Sequence, residues 1–257
     1  MFSFFNWHGF LTLFYKETWR FIKVSMQTIL APTITVLLYL VVFASVLSER
    51  VEVYPGVSYT SFLIPGLIMM AILQNAFSNT SSSLFQSKQN GNILFTLLSP
   101  ISSLEFYLAY VAASLVRGIM VGSCVWLVNL FFFDIPMTYP LFVILFAVFG
   151  SLLLGALGLI ASIYADKWDH LSTFQNFVIL PLSFLSGVFY SINDLPGIWS
   201  QLSWYNPFFY IIDGFRYGFL GISDANASIS LVVVVCFFLF ISALNIWMLK
   251  TGYKLRE

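Results

Sequence analysis

Charged side chains are scarce in this chain. Lys, Arg, Asp and Glu make up 9% of its 257 residues, against about a quarter of a soluble domain. That shortage excludes a large water-facing surface. Hydrophobic residues reach 60%, aromatic residues 19%, and mean hydropathy is +0.90, so the chain is read as an all-α integral membrane protein. Formal net charge is zero, which removes the basic footprint that nucleic-acid binding needs. Cysteine is nearly absent. Cys124 and Cys236 both lie in apolar runs and are read as small core residues rather than a disulfide or metal pair.

Motifs that carry chemistry are missing as well. There is no Gly-x-x-x-x-Gly-Lys-Ser/Thr loop and no His-Glu-x-x-His pair, so neither phosphate-loop nucleotide hydrolysis nor that zinc chemistry is expected. His8 and His170 stand alone. Asp166 and Asp169 flank Lys167 and Trp168, which reads as a turn or a docking point rather than a catalytic pair. A lipid-modifying membrane enzyme would need a clustered nucleophile, metal site or acid–base pair, and none is visible. A channel or ion-driven carrier would need a buried carboxylate or a polar lining, and the apolar runs supply neither. The first apolar run follows Lys16, Arg20 and Lys23 and lacks a small-x-small cleavage site, so no cleaved signal peptide is expected.

What is present is a series of long apolar runs. After a 7–25 segment come runs at 27–47, 60–82, 103–133, 141–164, 172–190 and 229–249. Each reaches the roughly 20 residues a spanning helix needs, the fifth only just. No two-residue alternation occurs, so a spanning β-barrel is excluded. Residues 7–25 place Trp7, Phe10, Leu11, Phe14, Phe21 and Ile22 at helical spacing. Lys16, Arg20 and Lys23 share one cationic stripe, as in a helix lying in the interface with its cations near lipid phosphates. Residues 1–26 are therefore assigned to an interfacial helix and 27–257 to a six-span domain.

Orientation follows from the basic residues. With the amino terminus inside, Lys16, Arg20, Lys23, Lys88, Lys167, Lys250, Lys254 and Arg256 are cytosolic; Arg50 and Arg216 are external. Both termini and the stretch 86–100 then face the cytosol. In that stretch Gln86 to Asn92 is too polar for hydrocarbon, Gly91 breaks the chain, Ile93 to Leu98 is apolar enough for a short helix, and Pro100 ends it.

Inside the runs, Pro32, Pro65-Gly66 and Pro181 and the glycines Gly150, Gly155 and Gly158 permit bends or close helix approach. Arg117 has no carboxylate in any run to pair with, so Gln74, Asn75, Asn79 or carbonyls would serve. A shallow position near the cytosolic interface is expected for it. Between the last two runs, 195–221 is apolar and aromatic. Asn206-Pro207 reads as a helix start, and Asp213 and Arg216 are spaced to pair. Two short re-entrant helices capping the outer mouth are expected here.

These residues resemble a family. Tyr59-Thr60-Ser61-Phe62-Leu63-Ile64-Pro65-Gly66-Leu67-Ile68-Met69-Met70 is similar to the second-span motif of the ABC type-2 export permeases. More specific is the run Gly187-Val188-Phe189-Tyr190-Ser191, Leu195-Pro196, Asn206-Pro207 and Gly214-Phe215-Arg216-Tyr217-Gly218-Phe219-Leu220-Gly221, which resembles the YadH/NodJ-like branch. The likeness runs nearly end to end. It implies a bacterial inner-membrane export permease without its own ATPase. Two copies of the chain would pair with two copies of an ATP-binding subunit, which holds the ATP and Mg; no cofactor is expected on this chain. The resemblance places a coupling helix at about 86–100, with Gln86, Lys88, Asn90, Gly91, Asn92, Leu94, Leu97, Leu98, Ser99 and Pro100 as candidate ATPase contacts. Pro65, Gly66 and Arg117 are candidates for span packing or the path, and Asn206, Pro207, Asp213 and Arg216 for an external gate. Family members often carry acids just after the equivalent of Asn92-Ile93; Leu94, Phe95 and Thr96 stand here instead, which implies apolar docking. The implied substrate is amphipathic: a lipid, a polysaccharide-lipid or a hydrophobic drug.

Overall fold

The computed structural model describes residues 5–47, 52–133 and 135–254. Arg50 and Arg256, both used in the orientation argument, lie outside them. The architecture is a bundle of helices. The amphipathic helix α1 (Trp7–Ile22) starts at Asn6, whose side chain accepts a hydrogen bond from the Gly9 amide. A π-helical turn over Met26–Leu30 leads into α2 (Ala31–Leu47). A small hairpin not foreseen from the sequence follows, β1 (Glu52–Tyr54) antiparallel to β2 (Val57–Ser58). Then come α3 (Tyr59–Gln89), α4 (Asn92–Leu98), α5 (Ser103–Leu130) and α6 (Pro140–Tyr164). The next elements are α7 (Trp168–Phe174), a π turn at Gln175–Ile179, and α8 (Leu180–Phe184). The chain closes with a 3-10 turn at Ile192–Asp194, α9 (Ile198–Trp204), α10 (Pro207–Leu220) and α11 (Ala227–Thr251).

Among the described residues, five helical stretches are long and apolar enough to cross a membrane: Met26–Phe43, Tyr59–Gln89, Ser103–Leu130, Pro140–Tyr164 and Ala227–Thr251. The fifth expected run, 172–190, differs from that expectation. Its helix spans 168–184 and stops short of 190. Gly187, in the left-handed region at φ 72°, lies in the turn that follows. Both π turns immediately precede a proline-bearing helix, with Pro32 and Pro181 as the second residue of α2 and α8. A proline ring clashes with the carbonyl four residues back, and a wider turn relieves that clash.

The helix α3 is the centre of the bundle. It is buried nearly all round and packs on α2, α5, α6 and α10; Phe62 to Leu73 is apolar on every side, as a buried helix is, while the later turns bury Asn75, Asn79, Thr80, Ser81 and Ser83. Its 31 residues span about 46 Å, well beyond the roughly 30 Å of hydrocarbon. The helix therefore runs past the expected end of the apolar run at 82 and carries the polar residues Gln86 to Gln89 beyond the hydrocarbon. Close approach of α6 to α3 rests on Gly158, and Gly155 makes room for Ser114 of α5. The Thr80 hydroxyl donates to the Gly155 carbonyl at 2.7 Å, and Asn245 of α11 donates to the Ala156 carbonyl at 3.0 Å.

Candidate functional site

Each end of the bundle carries a cluster of polar groups. At one end the chain leaves α3, turns at Gly91, and enters α4. Gly91 lies in the left-handed region at φ 70°, where a side chain is strained. From α4 only Ile93 is buried; Leu94, Phe95, Leu97 and Leu98 are exposed, Phe95 and Leu98 by three quarters. Four large apolar side chains on a seven-residue helix form an uncovered patch of the kind that marks a partner. Gln86, Asn90, Asn92 and Pro100 are exposed around it, and Ser99 is half-buried.

Lys88 does not face outward with them. Its ammonium turns inward and donates to the carbonyls of Ile163 at 2.9 Å, Ala165 at 3.0 Å and Ser162 at 3.3 Å. These are among the last carbonyls of α6, which have no partner within the helix, and a cation there also meets the negative end of the helix dipole. Gln89 donates to the Asp166 carbonyl at 3.1 Å, and Phe85 packs edge-on against Trp168 at 4.7 Å. Asp166 reaches Lys254 of the tail at 3.8 Å. The α4 connection, the α6–α7 turn and the tail are thereby tied into one surface. Lys88→Met is expected to lower stability by about 1–2 kcal/mol through the lost cap. A melting temperature in detergent equal to that of the parent chain would refute this.

The other side of α4 is clamped to α1. Asn6 donates through its side chain to the Pro100 carbonyl at 3.0 Å, and through its amide to the Glu105 carboxylate at 2.6 Å. The same carboxylate accepts from the Ser102 amide at 2.7 Å, closing a capping box at the start of α5. Ser102-x-x-Glu105 before an apolar run is a legible start signal that the sequence reading passed over, and Asn6 was likewise missed.

The cationic stripe of α1 divides. Lys16 and Lys23 stay exposed. Arg20, expected to face lipid, instead turns into the bundle and donates to the Asn79 carbonyl at 2.8 Å and side chain at 3.0 Å. It also pairs at 3.4 Å with Glu17, a fully buried acid that accepts from the Ser83 hydroxyl. Arg20 faces inward because this acid and the Asn79 oxygens lie on the packed side. Its signal was Glu17 itself, three residues before Arg20 and spaced to pair with it.

Arg117 is buried and donates to the Asn75 side chain at 3.1 Å. It lines the same cavity as Arg20.

At the opposite end, the expected pairing of Asp213 with Arg216 is not made. No ion pair joins them among the described residues. Asp213 accepts from the amides of Asp224 and Ala225, both at 2.9 Å. Arg216 is completely buried. It donates to the carbonyls of Gly187, Val188 and Phe62, and its guanidinium stacks 3.8 Å from the Phe62 ring centroid. Carbonyls in a turn have no helical partner, so they take the guanidinium. Gly66 lies under this contact, a Cβ there falling 3.0 Å from the Val188 carbonyl oxygen. Pro65 is buried beside it.

Asp224, which the sequence reading did not single out, gathers the rest of this end. It accepts from the Tyr54 hydroxyl at 2.8 Å, the Ser191 hydroxyl at 2.7 Å, the Ile192 amide at 2.9 Å and the Asn193 side chain at 3.1 Å. Burial holds the Tyr54 hydroxyl well above its ordinary pKa, so it stays a donor. Asn206 caps α10 through the Phe208 amide at 3.0 Å, with Pro207 as the first helical residue. The Asn206 side chain also donates to the Leu182 carbonyl at 2.7 Å and to Ser186 at 2.9 Å.

The structure is thus an apolar bundle with an uncovered short helix at one end and a hydrogen-bonded cap at the other. Residues 8–220 match the model of the ABC-2 type transporters. The chain belongs to the ABC-2 type transporter family. It is similar to the inner membrane transport permease YadH of Escherichia coli K12, 36% identical over 98% of both chains. It is also similar to nodulation protein J of Rhizobium leguminosarum bv. viciae, 27% identical over 85% of each. This ABC-2 permease is a transport subunit, and permeases of its family work with an ATP-binding subunit. Among the described residues, no three His, Cys, Asp or Glu side chains come together as a metal site.

Proposed function

We propose that the chain is the membrane subunit of an ATP-driven exporter of the bacterial inner membrane. Two copies pair with two ATP-binding subunits, which hold ATP and Mg. The chain crosses the membrane six times, the shorter helical run 168–184 serving as the fifth crossing, and both termini face the cytosol. The lipids around α1 are the third kind of partner. The α9–α10 pair re-enters the outer leaflet and closes the external mouth. The exported molecule is amphipathic.

The observation that carries this reading is α4. Its exposed Leu94, Phe95, Leu97 and Leu98 offer an apolar knob to a groove on the ATP-binding subunit. Lys88, just before α4, holds the end of α6, and Pro100, just after it, accepts from Asn6 at the start of α1, whose backbone amide donates to Glu105 of α5. A push on α4 then reaches three elements of the bundle through hydrogen bonds, without requiring α4 to enter the membrane.

The test is co-purification from the native membrane with an ATP-binding subunit, followed by ATPase assays of the pair in proteoliposomes. Phe95→Asp and Leu98→Asp should each weaken the assembly by about 2 kcal/mol, the loss seen for a buried interface anchor, and uncouple hydrolysis from transport. Wild-type coupling in both variants would remove the docking assignment. Uphill transport by the permease alone would remove the exporter reading.

A further inference from the structure

A cavity of about 520 Å³ opens between α1, α2, α3, α5 and α8, within the size range of small-molecule sites. The charged side chains lining it are Arg20 and Arg117; no acid lines it. Arg20 is neutralised by Glu17 at 3.4 Å. Arg117 is not paired with any acid among the described residues, and its polar contact is the Asn75 amide oxygen at 3.1 Å. It is nine-tenths buried.

The unmet hydrogen bonds on this wall are all donors. Arg117 Nε and the Gln74 amide nitrogen are shielded from solvent and have no partner, and both residues face the cavity. Buried donors and an unneutralised guanidinium are costly unless an acceptor reaches them. The rest of the lining mixes uncharged polar side chains, Gln27, Thr28, Thr35 and Ser82, with an apolar strip that includes Val36, Leu67, Met70 and Leu180. The site therefore offers a cation and free donors at one place and aliphatic surface beside them. That combination matches a phosphate attached to a hydrocarbon chain, with the guanidinium holding the phosphate oxygens.

We propose that this cavity binds the anionic phosphate headgroup of an amphiphile, with Arg117 as its counter-ion and Gln74 as a second donor. The tail lies along the α2 and α8 walls. The inference rests on the exporter reading for its biological meaning: this is where an amphipathic substrate would be held before transport. The binding itself does not depend on that reading.

The permease is purified alone in dodecyl maltoside and titrated by calorimetry with dihexanoyl phosphatidic acid, with neutral dihexanoylglycerol, and with inorganic phosphate. Saturable binding of the phosphatidic acid is expected, with at least about a tenfold preference over either other probe. Arg117→Gln should weaken it about tenfold. Arg117→Lys should recover most of the loss, and Lys250→Gln, an exposed cation on α11, should change nothing. Size-exclusion profiles check folding; should Arg117→Gln aggregate, Gln74→Leu replaces it with the same expected direction. Equal binding by the folded variant overturns the site. Equal binding of inorganic phosphate assigns the site to a free anion and overturns the amphiphile. No ATP-binding subunit is present, so failure here leaves the exporter reading standing. Failure of the coupling test above leaves this binding standing.

Discussion

Replacing Arg216 by methionine should unfold the end of the bundle that carries α9 and α10. The guanidinium is completely buried and serves the carbonyls of Gly187, Val188 and Phe62 while stacking on the Phe62 ring. Gly187 and Val188 lie in a turn, where no helical amide replaces the lost donor. Methionine keeps the volume but leaves these acceptors unmet and leaves Asp213 and Asp224 without the nearby positive charge. Breaking such a buried charged contact costs about 3–5 kcal/mol. For a chain of this size that is a fall of about 10 °C or more in melting temperature. Arg216→Lys should rescue only part of it, because an ammonium cannot reach three carbonyls in the planar fork that arginine supplies. A methionine variant melting with the parent chain would show that the turn is held by something else.

The second large effect is expected at the α3–α6 contact. A Cβ on Gly158 would fall 2.2 Å from the Thr80 hydroxyl and 2.5 Å from the Phe77 carbonyl oxygen, with the Ser81 amide nitrogen at 3.2 Å. Two of these atoms are backbone of the central helix, so no rotamer change relieves the clash. The helices must separate, which also stretches the bond from Thr80 to the Gly155 carbonyl. Gly158→Ala should therefore cost about 3 kcal/mol, the upper part of the range for overpacking. Gly150→Ala is the comparison. Its Cβ would approach the ends of the Met69, Ile211 and Leu73 side chains, which can move, and about 1 kcal/mol is expected. Equal losses at the two positions would show that helix approach, not backbone contact, sets the cost. Both are read as melting temperatures of the detergent-solubilised chain.

These two sites differ in how they could be read beforehand. A glycine in an apolar run signals close approach, and Gly158 was legible in that sense. Its partner was not, because nothing near Gly158 names Phe77, which is brought there by the packing of another helix. Arg216 was misread for a related reason. Its spacing to Asp213 fits a helical pair, yet each found a stronger partner in a turn: the Gly187 carbonyl for one, the Asp224 amide for the other. Local spacing states which contacts are possible, and burial decides which are used. The same applies to Lys88, whose neighbours in the chain are polar but whose ammonium closes the end of α6.

The amino-acid order alone determined the long apolar helices, the break at Gly91, and the start of α10 at Asn206-Pro207. Each of these is set by residues within one or two turns of each other: the run of apolar side chains that hydrocarbon demands, a φ that glycine tolerates, a side chain that caps its own helix. Only the tertiary structure decided that α3 is the axis, that Arg20 faces inward, that Asp224 gathers the far end, and that Arg117 lines a cavity with no acid in it. Those outcomes depend on groups far apart in sequence meeting in a medium with little water. There, each buried donor or charge must be matched by whatever the fold places beside it.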